Sequence, residues 1–146
     1  LDTTFHFLLD HHLWIRIAQQ GKILHVNQTW AAARYHAEAK NRAKAAEFGR
    51  EAFRIWESAE QDENLAPALA KISRHARASA HRVDARYLLD GGQPAAALSA
   101  WTKALLIYPP TALARLNILV SAILNLLGMR KLREKILRQR ESRYQK

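Results

Sequence analysis

The sequence predicts a mainly α fold, a helical bundle of antiparallel helix pairs with a short β element near the N-terminus, and three observations support this. Ala occurs 26 times and Leu 20 times in 146 residues, against 3 Val, 9 Ile and 5 Thr, a balance that favours helix over sheet. Hydrophobic residues make up 49% of the chain and charged residues 25%, as in globular proteins. Apolar side chains also recur at helical spacing through most of the chain.

Composition excludes several classes of site. The chain contains no Cys, so it has no disulfide, no thiolate zinc site and no Cys nucleophile. No apolar run reaches the roughly 18 to 20 residues that span a bilayer. The chain begins at Leu1 and nothing in it is typical of a signal peptide,. We therefore expect a fragment of a longer protein.

The first predicted elements are one helix and two strands. Leu9, Leu13 and Ile17 fall on one face at helical spacing, and Gly21 stands where a left-handed C-cap would end the helix,. Residues 22–27 and 29–36 predict two short extended segments joined at a turn,. These segments would pair as a hairpin or add to a neighbouring chain, and helix is the alternative for the Ala-rich stretch 30–33.

The remaining elements are helices separated by Gly and Pro. A helix is predicted to begin near Asn41 and to carry an apolar stripe over residues 48–59,. A second helix follows, with core-facing residues at alternating four- and three-residue steps over residues 65–87,. Gly91-Gly92 ends that helix, Pro94 starts the next, and Pro109-Pro110 ends it,. A last helix, capped by Thr111, is expected over residues 112–129, with one thin polar stripe. Its members are Asn117, Ser121 and Asn125.

Residues 92–109 resemble the second half of a tetratricopeptide repeat. Ala97, Trp101, Ala104 and Pro109 fall on the small, large, small and Pro positions of that pattern, and Ala85 fits the small position of the preceding helix,. Small residues let two antiparallel helices approach, and the Trp fills the groove between them. Because only one copy is visible, we expect one tetratricopeptide-like hairpin packed on other helices.

Basic residues are concentrated at the C-terminus. The formal net charge is +10, and residues 130–146 contain eight basic and two acidic side chains. Such a surplus attracts anionic lipid, nucleic acid or an acidic partner, although a solvated terminal helix is the alternative. Tyr144 is the one aromatic residue of this tail, so base stacking has little support. We expect an anionic membrane surface and no nucleic acid.

The most specific motif lies near the N-terminus, where an acidic residue is followed by Leu-Trp-x-Arg and later by Arg-x-His. The motif is Asp10-His11-His12-Leu13-Trp14-Ile15-Arg16, followed by Arg34-Tyr35-His36. In order and spacing it resembles the C-terminal end of the catalytic domain of family 2 glycosyltransferases, over about residues 8 to 40. The resemblance divides the chain into a catalytic-domain remnant, 1–40, and a helical accessory domain with a basic tail, 41–146.

The resemblance also implies roles for four residues. Asp10 falls on the family's base, which takes a proton from the acceptor hydroxyl. Arg16 would orient or pair with a carboxylate, whereas Arg34 and His36 fall on the element that faces the donor's diphosphate or the metal. The substrates would be a nucleotide-sugar and an acceptor. His12 replaces the family's second acid.

The resemblance further implies that the intact enzyme uses a divalent metal, Mg or Mn. No Asp-x-Asp motif occurs in these 146 residues, so we expect neither a metal site nor sugar transfer in this chain alone. We expect the intact enzyme in the cytoplasm, at the inner face of the membrane.

Other interpretations stay open. If the resemblance is accidental, the chain is a non-enzymatic helical interaction module with a basic docking tail. Asp10 would then be a helix N-cap, and the His-rich segment would hold surface or partly buried His rather than metal ligands. We expect the four Trp residues in the core, and exposed strand edges with an apolar helix would allow a homodimer. The Trp residues are Trp14, Trp30, Trp56 and Trp101.

Overall fold

The computed structural model describes residues 2–31 and 44–129, and helices make up most of the second range. The six helices of these ranges are α1 (Leu9–Gln20), α2 (Ala45–Gln61), α3 (Ala66–Asp90), α4 (Pro94–Ile107), α5 (Pro109–Leu113) and α6 (Leu116–Leu126). The mainly α prediction is therefore confirmed. The helix start predicted near Asn41 lies outside the described residues.

Helices α2 and α3 pack side by side in opposite directions. Phe48 stacks on Tyr87 with ring centroids 4.2 Å apart, near the start of α2 and the end of α3. Near the other end, the Arg77 guanidinium lies 5.7 Å from the centroid of the Trp56 ring. The Asp62 carboxylate accepts hydrogen bonds from the backbone N–H groups of residues 64 and 65 in the connecting turn, so Asp62 stabilises the entry into α3.

Helices α3 and α4 form a second antiparallel pair. Gly92 has a φ of 75°, a left-handed conformation that costs glycine little,, and the Gln93 N–H donates to the Leu88 carbonyl at 2.9 Å. At the far end of the pair, the Arg74 guanidinium donates two hydrogen bonds, of 2.9 and 3.1 Å, to the Ile107 carbonyl. The predicted end at Gly91-Gly92 and the predicted start at Pro94 are confirmed.

The core lies where α3 and α4 meet α5 and α6, and most of its residues are small. The buried cluster consists of Ala78, Ala85, Leu89, Ala97, Ala100, Trp101, Ala104, Ala112, Ile118 and Ala122. Trp101 is 4% exposed, and its Nε1–H donates to the Ala112 carbonyl at 3.2 Å. The alanines allow close helix approach and Trp101 fills the space between them, so the predicted core role of Trp101 is confirmed.

Two of the four Trp predictions are wrong. Trp14 is 53% exposed and Trp30 is 77% exposed. Trp14 lies on the outer face of α1, which has no buried residue. Trp30 lies in the irregular segment that follows, where its Nε1–H donates to Gln28. Neither side chain is covered by the helical core.

The predicted β element over residues 22–27 and 29–36 is also wrong in its described part. Residues 22–31 contain no strand, and every side chain in this range is exposed. The Gln28 N–H donates to the Val26 carbonyl at 2.9 Å, a tight local turn rather than a strand pairing. An isolated two-stranded ribbon is marginal in water, which explains the outcome. Residues 32–36 lie outside the described residues.

Two helix ends differ from the predictions. Gly21 does end α1, and its N–H donates to the Ile17 carbonyl, but its φ of −166° is extended and not left-handed. The single helix predicted over residues 112–129 is divided at Ala114-Arg115 into α5 and α6. The break allows Ala112 and Ile118 to enter the same buried cluster. Thr111, predicted as a cap, is a buried residue of α5 instead.

None of the described helices is both long enough and apolar enough to pass through a bilayer.

Candidate catalytic segment

Asp10 lies in the first turn of α1, with its carboxylate exposed to solvent. The side chain is 58% exposed, and its Oδ1 lies 3.1 Å from Nδ1 of His11. The same oxygen accepts the His11 backbone N–H at 2.9 Å. Leu8 occupies the N-cap position, so the alternative interpretation of Asp10 as the helix N-cap is wrong. The geometry leaves an accessible carboxylate at the start of a helix.

Glu51, distant along the chain, caps the start of α1. The Glu51 carboxylate, on α2, accepts hydrogen bonds from three consecutive backbone N–H groups immediately before α1. Their donors are His6 at 2.8 Å, Phe7 at 2.8 Å and Leu8 at 2.7 Å. A carboxylate at a helix N-terminus satisfies unpaired N–H groups and complements the helix dipole. Glu51 thereby fixes the start of the helix that bears Asp10.

Electrostatics favour the charged form of Glu51. The residue is only 5% exposed, and this burial alone would raise the pKa of its carboxyl,. The three backbone hydrogen bonds, together with the nearby Arg54 guanidinium, outweigh burial and hold the pKa below its usual value. Glu51 is therefore a buried, ionised carboxylate whose charge is met by three N–H donors immediately before α1.

Further contacts join the N-terminal segment to α2. The Arg54 guanidinium donates to the Thr4 carbonyl at 3.0 Å and to the Thr4 hydroxyl at 2.9 Å, and it lies 4.6 Å from the centroid of the Phe5 ring. At the other end of α1, Gln19 donates to the Asp62 carboxylate at 3.1 Å. Because Leu8 lies beside Glu51 and Gln19 beside Asp62, α1 runs in the same direction as α2.

Of the four predicted site residues, the structure describes Asp10 and Arg16. Arg16 is exposed on α1, and within the described ranges its side chain makes no hydrogen bond with Asp10. Arg34 and His36 lie outside the described residues. The segment 2–31 thus presents the Asp10 carboxylate exposed to solvent.

The His-rich segment has local aromatic contacts. The His12 ring stacks on Phe5 with centroids 4.4 Å apart, whereas the His11 ring lies 5.1 Å from Trp14. The two adjacent imidazoles therefore contact different neighbours. Among the residues that the structure describes, no three His, Asp or Glu side chains lie close enough together to hold a metal ion.

Several large apolar side chains are exposed on α1 and in the segment that follows it. Trp14 and Ile17 of α1 are each about half exposed, and the irregular segment after α1 exposes four more large apolar side chains. These are Ile23, Leu24, Val26 and Trp30. Exposed apolar surface of this extent is typical of a contact with another protein surface or a ligand.

An open groove of about 430 Å³ lies elsewhere, between the N-terminal segment and the start of α2. Phe7, Lys44, Glu47 and Gln93 are among its lining residues, but Asp10 and Arg16 are not. The groove therefore adds no group to the candidate carboxylate.

Sequence reasoning missed Glu51. Its role depends on contacts 43 to 45 residues away along the chain, and an acidic residue on an amphipathic helix is usually solvated. The one signal was its position beside Phe48 and Ala52 in the stripe, where a charge needs a partner.

Comparison with known proteins gave no relative. No family model, curated protein or solved structure matches this chain.

Proposed function

We propose that this chain is the C-terminal part of a family 2 glycosyltransferase, an enzyme that transfers a sugar from a nucleotide-sugar to an acceptor hydroxyl. The observation that carries the proposal is the ordered motif of residues 8–40, with Asp10, Arg16, Arg34 and His36 at the family's spacing. The exposed carboxylate of Asp10, on a helix whose start is fixed by Glu51, supports it.

The chemistry proposed for Asp10 is general base catalysis. Its carboxylate accepts the proton of the acceptor hydroxyl as the hydroxyl oxygen forms a bond to the anomeric carbon of the donor sugar. The bond between that carbon and the diphosphate oxygen breaks, and the diphosphate leaves with the electron pair. Arg16 orients a nearby carboxylate, and Arg34 and His36 supply positive charge and hydrogen bonds to the diphosphate.

Donor binding would require residues other than the four of the motif. A divalent metal, Mg or Mn, would neutralise the leaving diphosphate when bound, but the described residues offer no ligand cluster for it. We propose that a nucleotide-binding half covers the exposed apolar surface that includes Trp14 and Trp30, and that the enzyme is cytoplasmic.

The experiment is a kinetic comparison in the full gene product that contains this chain. Asp10→Asn is expected to lower kcat about 10²- to 10⁴-fold, the usual contribution of a general base, with little change in the KM for the donor. Glu57→Gln is the matched control, since it also removes one exposed carboxylate charge. Equal kcat values for the two variants would reject Asp10 as the base.

A second candidate function is a non-enzymatic helical interaction module. It is favoured by the α3–α4 pair, in which Ala85, Ala97, Trp101 and Ala104 are all buried, as a tetratricopeptide-like hairpin requires,. The coding sequence upstream of Leu1 distinguishes the two functions. A strand–helix–strand pattern followed by Asp-x-Asp supports the transferase, whereas a nearby start codon supports the module.

A further inference from the structure

Helix α6 carries exposed apolar side chains on the side opposite its polar stripe. Ser121 of its polar stripe is buried, at 9% exposed, and Asn117 and Asn125 are half-buried. On the opposite side, Leu116 is 47% exposed and Val120 is 48% exposed. The inward side of α6 also contributes Ile118 and Ala122 to the core, as expected of a helix packed on other helices. The exposed apolar side chains on its outward side need a separate explanation.

The exposed apolar residues of α6 form one continuous line. They lie at successive steps of four, three and four residues, which places them on one helix face. This apolar stripe consists of Leu116, Val120, Ile123 and Leu127, with exposures of 47%, 48%, 41% and 67%. Leu113, Leu126 and Met129, close by in sequence, are also exposed. Over about 16 Å of helix, the stripe offers apolar contact without a covering element among the described residues.

Positive charge is concentrated in the same part of the chain. Residues 91–146 contain ten basic and two acidic side chains, against thirteen and eleven in residues 1–90. No acidic residue occurs between Asp90 and Glu134. Arg115, immediately before the stripe, is exposed. The apolar stripe is thus flanked in sequence by a strongly basic region.

We propose that the apolar stripe inserts into the interfacial layer of an anionic lipid bilayer, with the basic side chains of residues 91–146 at the headgroups. The apolar face of an interfacial helix enters about 5 to 10 Å into the headgroup and acyl boundary, and basic side chains beside it attract anionic lipid. An outward apolar side and a local surplus of positive charge are the two properties that such binding requires. This proposal does not depend on sugar transfer.

A second copy of the chain fits these observations less well. A stable protein interface buries roughly 800 Å² per partner, and four side chains on one short helix supply only a fraction of that. Two copies would also bring two basic regions together, which repel each other. An anionic bilayer satisfies the stripe and the charge simultaneously.

The test uses the absence of Cys, which allows one fluorophore to be attached at a chosen site of the full chain. Val120→Cys, labelled with an environment-sensitive dye, is mixed with vesicles of zwitterionic lipid alone or with about 30% anionic lipid. We expect a blue shift and quenching by brominated acyl chains only with anionic vesicles. Binding should weaken about fivefold for each basic side chain of residues 130–135 replaced by Gln, and also with added salt.

Ile72→Cys is the matched control, because Ile72 is a 54% exposed, β-branched residue of α3 outside the stripe. Its dye should stay in water under all conditions. The proposal is overturned if the two dyes respond alike, or if neither is quenched by the brominated lipid. A blue shift at position 120 that rises with protein concentration in the absence of vesicles would assign the stripe to a second copy instead. None of these readouts requires transferase activity.

Discussion

At the scale of single residues, Asp84 is a carboxylate whose surroundings disfavour its charge. It lies on α3 with its carboxyl group against Gly49 of α2, where a side chain at position 49 would collide with it. Burial raises the pKa of Asp84, and the charge of Lys103 only partly opposes that effect. The close approach of α2 and α3 therefore makes the ionised form of Asp84 unfavourable for the stability of the fold.

Asp84→Asn should stabilise the protein at pH 7, by on the order of 1 kcal/mol, the size of an ordinary single-site effect. Because the folded pKa is raised, the folded state holds its proton at pH values where the unfolded state has lost it. Stability of the parent protein therefore falls as the pH rises from the ordinary Asp range through the raised pKa. Urea unfolding at several pH values checks this, and a gap between variant and parent that does not shrink at low pH would contradict it.

Residue roles were predictable from the sequence only where the partners are close along the chain. The Asp62 carboxylate accepts hydrogen bonds from the backbone of residues only two and three positions away, a local role that is typical of Asp in turns. Glu51 could not be identified in this way, because its donors come from a segment that only tertiary packing brings near. Whether Asp10 is a catalytic base stays a prediction.

At the scale of elements, α1 depends on side-chain contacts with α2 more than on buried apolar area. It has no buried residue of its own, and it is fixed by Glu51 and Arg54 near its start and by Gln19 near its end. Its position should therefore be sensitive to the loss of a single polar partner, whereas the α3–α4 pair should not.

Glu51→Ala should release the start of α1 and leave the helical core folded. Three backbone N–H groups would lose a charged acceptor, lowering the local opening free energy by about 2 kcal/mol. Amide exchange at residues 6–8 should accelerate about thirtyfold, as measured by hydrogen–deuterium exchange. Glu57→Ala, at an exposed position of the same helix, is the control and should change little. Unchanged exchange in Glu51→Ala would contradict the anchoring role.

Gly and Pro residues predicted the helix ends well, whereas the apolar periodicity predicted the elements less accurately. Gly91-Gly92, Pro94 and the Pro109-Pro110 pair all lie at helix ends, because these residues act on the local backbone. No strand forms over residues 22–31, and the break at Ala114-Arg115 follows Ala112, whose carbonyl accepts a hydrogen bond from Trp101. The apolar periodicity alone predicts neither of these outcomes.

At the scale of the whole molecule, the described residues comprise a helical core with two uncovered apolar surfaces. One consists of α1 and the segment after it, including Trp14 and Trp30; the other is the apolar stripe of α6. The first surface includes the helix that carries Asp10, and our proposal is that a nucleotide-binding half covers it. The second coincides with the basic end of the chain, and we assign it to lipid.

The central claim is that residues 8–40 complete a sugar-transferring site. Its most direct test is an assay of labelled sugar transfer, with release of the nucleoside diphosphate, over a range of nucleotide-sugars and alcohol acceptors. The gene product translated from its own start codon should transfer sugar, and the 146-residue chain alone should not. The account would be contradicted if the gene product turned over no nucleotide-sugar. It would also be contradicted if the 146-residue chain alone transferred sugar.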